Sequence, residues 1–195
     1  GKLIIQANNG RFQPVHTLAT DVLKKVSRQS VYNGQSAMQV FLGIHTNVLA
    51  WNLEPLIYVS GEAVREKLGI DGSRAALKDF FAGEKLDYIL EHDAEVARHK
   101  KPAEQSVYDK DVLKTDERLN IILGMFTGLY LKIIPLPNDP NHNWYSPFDR
   151  DHPFTGEDEE FFKAIIPLYN LAVEEGYKTG DWAQADNVVA LIDKF

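Results

Sequence analysis

Three groups of residues in this 195-residue chain are of a type that does chemistry: six histidines, the run Asp139-x-Asn141-x-Asn143, and the adjacent triplet Asp116-Glu117-Arg118. The histidines are His16, His45, His92, His99, His142 and His152. A histidine that ligates iron or another metal is a neutral ring oriented by a partner on its second nitrogen. None of the six stands in an H-E-x-x-H or comparable spacing, although His92 and His99 would share a helix face. The plain alternative for each is a surface or capping role. Asp139-x-Asn141-x-Asn143 resembles the start of a calcium loop. Its sixth position is Trp144 where glycine is needed and its twelfth is Arg150 where glutamate is needed, so Asx-type turns are the expectation. Paired carboxylates perform acid–base chemistry when burial splits their pKa values. Asp116 and Glu117 are adjacent on an expected helix and point about 100° apart, which favours an ion-pair network around Arg118. Gly10-Arg11-Phe12 supplies one arginine, for an anion or for a structural salt bridge. No glycine-rich phosphate loop, nucleophile elbow or Ser/His/Asp pattern accompanies it. We therefore expect no catalytic residue and no metal site in this chain.

Composition narrows the classes further. The net charge of -7 argues against nucleic acid as a partner and fits a basic one. No cysteine is present, which excludes disulfides, thiolate nucleophiles and Cys-ligated metals. Hydrophobic residues at 44% and charged residues at 25% are ordinary for a globular chain. The most apolar stretch, Leu119 to Leu136, contains Asn120, Thr127 and Lys132 and is not a membrane span. The chain begins Gly1-Lys2-Leu3 and stops at Phe195 directly after an apolar helical pattern. Both ends read as cuts within a longer protein.

The expected elements are mainly α: an irregular multi-helix domain with two or three short strands. A strand is expected over 2–6, a turn at Asn8-Asn9-Gly10, and Pro14 in the first turn of a helix whose face is Val15, Leu18, Ala19, Val22, Leu23 and Val26. Ser36 caps a second helix with Val40, Phe41 and Ile44 inward. Leu56–Val59 reads as a strand, pairing with Ile133-Ile134. Ser60 and Ser73 read as caps of helices ending at Gly69 and Gly83. Residues 84–99 read as a charged helix. A long helix starts near Ala103, with Val112, Leu119, Ile122, Leu123, Phe126 and Tyr130 on one face. Residues 135–155 read as a long loop and a possible sub-boundary within one soluble domain spanning 1–195. The C-terminal part, 156–195, holds a helix with an acidic first turn, a kink at Pro167 and an end at Gly176, then a last helix capped by Asp181.

Four segments, in order, carry a resemblance. Gly10-Arg11-Phe12-Gln13-Pro14-Val15-His16-Thr17-Leu18-Ala19 resembles a G-R-[FVI]-K-P-[FLM]-[DN]-T-x-A motif, departing from it at Gln13 and His16. Tyr32-Asn33-Gly34 followed by Gln39-Val40-Phe41-Leu42-Gly43 resembles its next block. Residues 109–121, Asp109 through Asp116-Glu117-Arg118-Leu119-Asn120-Ile121, resemble D-K-x-V-[IL]-K-x-D-E-R-[VL]-N. Ile134-Pro135-Leu136-Pro137 with Asn143-Trp144-Tyr145-Ser146-Pro147 resembles the fourth. This order is similar to that in fused bacterial system II cytochrome c biogenesis proteins, which export haem and act as cytochrome c synthetases. The resemblance implies an extracytoplasmic (periplasmic) domain of an integral membrane protein, with the membrane-embedded remainder of the polypeptide and apocytochrome c as partners. It implies haem as the cofactor of the parent protein, a haem lyase, handled by a tryptophan-rich motif that is absent here. This piece by itself is then no enzyme and binds no cofactor of its own. Gly10, Arg11, Pro14, Thr17, Asp116, Glu117, Arg118, Asn120 and Trp144 are the residues for a structural network or docking face. His16 and His45 are the haem-ligand candidates of the alternative, an independent haem-binding module. A structural or partner-docking spacer is the other alternative.

Overall fold

The computed structural model describes residues 3–195. Gly1 and Lys2, the start of the expected first strand, lie outside the described residues. The fold is mainly α, with eight α-helices and only two-stranded antiparallel pairings among the described residues. No helix among them is long and apolar enough to cross a membrane. The chain divides into two compact units, Ala19–Leu123 and a second made of the residues up to Leu18 with Gly124–Phe195.

In the 19–123 unit, α1 (Val15–Ser27) contributes the buried side chains Val22, Leu23 and Val26. Asn33 (φ 48) and Gly34 (φ 77) both lie in the left-handed region. They close a two-residue turn that pairs β3 (Val31–Tyr32) with β4 (Gln35–Ser36). Ser36 then caps α2 (Ala37–Thr46) in a full capping box with Gln39, and Val40, Phe41 and Ile44 are buried as expected. α3 (Val48–Leu53) follows. β5 (Ile57–Tyr58) pairs with β6 (Arg74–Ala75). The expected partner, Ile134, belongs to the other hairpin described below. The cap of α4 (Glu62–Leu68) is Gly61, not Ser60. A Cβ on Gly61 would stand 2.8 Å from Asp111 Oδ2, and the Ser60 hydroxyl instead donates to Asp111 Oδ1 at 3.0 Å. Gly69 closes α4 in the left-handed conformation.

The helix expected after Ser73 does not form. A 3-10 turn at Leu77–Phe80 leads into β7 (Phe81–Ala82), which pairs with β8 (Asp87–Tyr88). The positive φ of Gly83 (73°) and Leu86 (54°) turns the chain back on itself. The charged helix is therefore shorter, α5 at Glu91–His99, with Ala94 and Ala97 inward. α6 (Val107–Phe126) starts four residues later than expected, and Val112, Leu119 and Ile122 are buried on it.

The second unit opens with β1 (Ile4–Gln6) against β2 (Phe12–Pro14). Pro14 ends this hairpin, paired with Ile4, and α1 begins one residue later. β9 (Ile134–Pro135) overlaps the strand expected at Ile133-Ile134, and its partner β10 (Trp144–Tyr145) lies inside the stretch expected to be a bare loop. α7 (Gly156–Thr179) runs past Gly176, which is buried against Trp182, and ends at Gly180. α8 (Ala183–Lys194) packs along α7. The cap residue of α8 is Trp182, not the expected Asp181, which stands one position earlier and whose Oδ1 accepts the Ala183 N–H at 2.9 Å. Phe154, Phe162 and Phe195 form an aromatic cluster with Tyr145 and Phe161.

Candidate functional site

The motif residues gather in two places, one in each unit. In the 19–123 unit they form a polar network on α6. Asp116 is buried and accepts from three side chains: the Tyr88 hydroxyl at 3.1 Å, Asn120 Nδ2 at 3.1 Å, and the Arg98 guanidinium, its ion-pair partner. Burial, and next the Asp116 charge, push the Tyr88 phenol well above its ordinary range. Arg118 is buried as well, but its partners are backbone carbonyls. Nε donates to Lys25 O at 3.1 Å and Nη1 to Tyr58 O at 2.7 Å, with the guanidinium 5.3 Å from the centre of the Tyr58 ring. Arg118 thus ties α1 and β5 to α6, and burial pulls its pKa down. Glu117 points away from Asp116 to Lys25 at 2.7 Å, and both side chains are about half exposed. The two carboxylates do not converge, so they form no acid–base pair. The cation beside Asp116 is Arg98, not Arg118.

Two turns earlier, Asp109 accepts from Lys100 Nζ at 2.8 Å and from the Ser106 hydroxyl at 2.7 Å. These bonds hold its carboxyl down at about 2. Ser106 Oγ in turn accepts the Asp109 N–H at 3.1 Å, so the pair caps α6. The S-x-x-D spacing of Ser106 and Asp109 is a readable helix-start signal that places the boundary correctly. Arg98, Tyr88 and Lys100 carry no such signal, because their roles exist only through contacts distant in sequence.

The second gathering lies in the other unit. Gly10, at φ 79, completes the turn between β1 and β2. Phe12, 49% exposed, stands 5.2 Å from the Trp144 ring, so the first and fourth motif blocks meet. Gln6 fastens them: its Nε2 donates to His142 O and its Oε1 accepts the Trp144 N–H, both at 3.0 Å. Gln6 lies outside every motif block. Arg11 is exposed, and no hydrogen bond or ion pair joins its guanidinium to another described residue. Thr17 is half-buried on α1. Asp139 accepts the N–H groups of Asn143 at 2.8 Å and Asn141 at 3.1 Å, which lowers its pKa and gives the expected Asx turns. Among the described residues no three His, Asp or Glu side chains are grouped to hold a metal ion.

The two haem-ligand candidates differ in setting. His16 is exposed on the first turn of α1. His45 is buried, 4% exposed, its Nδ1 2.7 Å from Phe41 O and its ring 4.6 Å from the Phe41 ring. Burial lowers its pKa to about 4. The unfolded chain, with His45 near 6.5, then binds more protons below that pH than the folded chain does. The stability due to neutral His45 is complete above pH 6.5 and is lost as pH falls towards 4, amounting to about 2 kcal/mol by pH 5. Urea denaturation at pH 7 and pH 5 is expected to show that loss, and His45→Gln to flatten it. An unchanged pH dependence in the variant would remove His45 as its source.

No family model matches the chain. Protein NrfI of Wolinella succinogenes is 39% identical to it over 182 residues, covering 92% of this chain and 20% of NrfI. The chain thus spans about a fifth of the length of the curated relative it matches, and is similar to one stretch of a much longer protein along nearly all its own length.

Proposed function

We propose that this chain is an accessory part of a larger membrane protein that matures c-type cytochromes. It stands on the extracytoplasmic, periplasmic face, over a membrane-embedded remainder of the same polypeptide. There it assists delivery of haem to apocytochrome c and holds the apoprotein for covalent attachment. The haem lyase chemistry belongs to the remainder. The observation that carries this reading is the recurrence, in order, of four blocks resembling system II biogenesis proteins, along a chain of which 92% is similar to one stretch of NrfI. The accessory character is supported by what the blocks build. Asp109, Asp116, Arg118 and Asn120 are engaged by other groups of the chain, and none of them is a free acid, base or nucleophile.

A docking spacer that never touches haem is the second reading, favoured by the same scaffold. Titration of the 195-residue chain with ferric and ferrous haem, with and without an apocytochrome peptide containing the haem-binding cysteines, separates the two. Haem assistance predicts a saturable Soret shift that His16→Ala or His45→Ala reduces or that the peptide enhances. A folded chain giving no shift in either condition leaves the spacer reading in place. Maturation of a c-type cytochrome by the full-length protein that is unaffected by deleting this region would overturn both.

A further inference from the structure

α7 carries, on the side away from its core, a pattern that the fold does not use. Phe162, Ile165, Ala172 and Gly176 are buried and define its inward face. On the opposite side Ala164, Pro167, Leu168 and Leu171 follow one another at three- and four-residue spacing, which puts them in one stripe. Leu168 is 46% and Leu171 64% exposed. Glu157 and Glu160 precede this stripe, and Glu174 and Glu175 follow it. These four are exposed, and no ion pair joins any of them to a described cation. Lys163 pairs instead with Glu159.

Helix stability accounts for only half of this arrangement. Acidic residues in the first turn complement the positive end of the macrodipole, but Glu174 and Glu175 lie close to the negative end, where carboxylates are unfavourable. An apolar centre with unpaired carboxylates at both ends is the complement of a helix with an apolar seam and lysines or arginines at both ends. From Glu160 to Glu175 the helical rise gives a face of about 22 Å.

We infer that this face of α7 docks a basic amphipathic helix of a partner polypeptide. The charges select that occupant. A second copy of the chain would bring the same four carboxylates against this pattern with only the exposed Lys178 to offset them, so like charges outnumber opposite ones in either orientation. An anionic lipid surface is repelled by the same groups. The inference stands apart from the maturation reading, since it names the chemistry of the partner and not its identity.

The test is fluorescence anisotropy on the 195-residue chain. The probe is a labelled peptide of about eighteen residues, with leucines at helical spacing and two lysines at each end. Saturable one-to-one binding is expected. Leu171→Asp should weaken it at least about tenfold, as a core contact of an interface does, and reversing Glu160, Glu174 and Glu175 to lysine should do the same while creating binding of a glutamate-ended peptide. Circular dichroism confirms that these surface variants stay folded. The inference is overturned by no binding, or by binding that survives Leu171→Asp. Equal binding of a peptide whose leucines are replaced by serine also overturns it. So does a dimer in sedimentation that Leu171→Asp dissociates, because the face would then belong to a second copy.

Discussion

Asp116→Ala is expected to destabilise the 19–123 unit by about 3 kcal/mol, read from urea denaturation followed by circular dichroism at pH 7. The carboxylate is buried and is the common acceptor of Tyr88, Asn120 and Arg98. Its removal takes the acceptor from the half-buried Tyr88 hydroxyl and loses three bonds to an ionised group at about 1 kcal/mol each, although Asn120 and Arg98 are exposed enough to turn to water. The ion pair is the smaller part, because the Arg98 side chain is about half exposed and solvent screens it. Arg98→Met should therefore cost less than about 1 kcal/mol, and Asp116→Asn should fall between the two. The Tyr88 phenol gives an independent readout. With Asp116 gone, part of what raises its pKa is gone, so tyrosinate absorbance should appear at lower pH on alkaline titration. If Asp116→Ala lies within about 0.5 kcal/mol of the parent, the network does not hold the unit together. On the proposed function, any loss of cytochrome maturation in an Asp116 variant of the larger protein should be read beside its stability, since a folding defect alone would produce it.

What the sequence discloses of this fold follows the range of the interaction involved. α1, α2 and α6 are legible because an apolar face repeats every three or four residues, and because Ser36 with Gln39 writes a capping box within four positions. The stretch 73–90 misleads for the same reason. Leu77, Phe80 and Phe81 have helical spacing, but positive φ at Gly83 and Leu86 folds them into a 3-10 turn and a hairpin. The pairing of β5 with β6, not β9, is a choice between partners distant in sequence, and two-residue strands carry too little pattern to decide it. The site divides along the same line. Asp116 and Arg118 stand out as residues, yet Arg98 as the cation and Tyr58 O as an acceptor exist only once the chain is folded. Gln6 is the clearest case: it joins the first and fourth motif blocks through its side chain, and nothing around it in the sequence marks it.

Gly128→Ala is expected to cost about 4 kcal/mol, and a comparison with Gly10→Ala shows why. Both glycines sit at nearly the same backbone angle, φ 78 at Gly128 and φ 79 at Gly10. An alanine at either position carries the same left-handed penalty of about 1–2 kcal/mol. At Gly10 nothing lies within 4 Å of the added Cβ, so that penalty is the whole effect. At Gly128 the new Cβ would stand 2.6 Å from Phe148 Cβ, an atom next to the backbone that no rotamer change can move. Relief requires shifting the segment that carries Phe148, an overpacking cost of about 1–3 kcal/mol on top of the strain. Thermal or urea unfolding of the two variants should show the Gly128 change costing at least about twice as much. Phe148→Gly, which removes that Cβ, should recover part of the difference in the Gly128→Ala background. Equal effects of the two single changes would mean that the Phe148 segment yields freely and that only the turn geometry matters. The motif glycine, Gly10, would then be no less critical to the fold than Gly128, which lies outside every motif block.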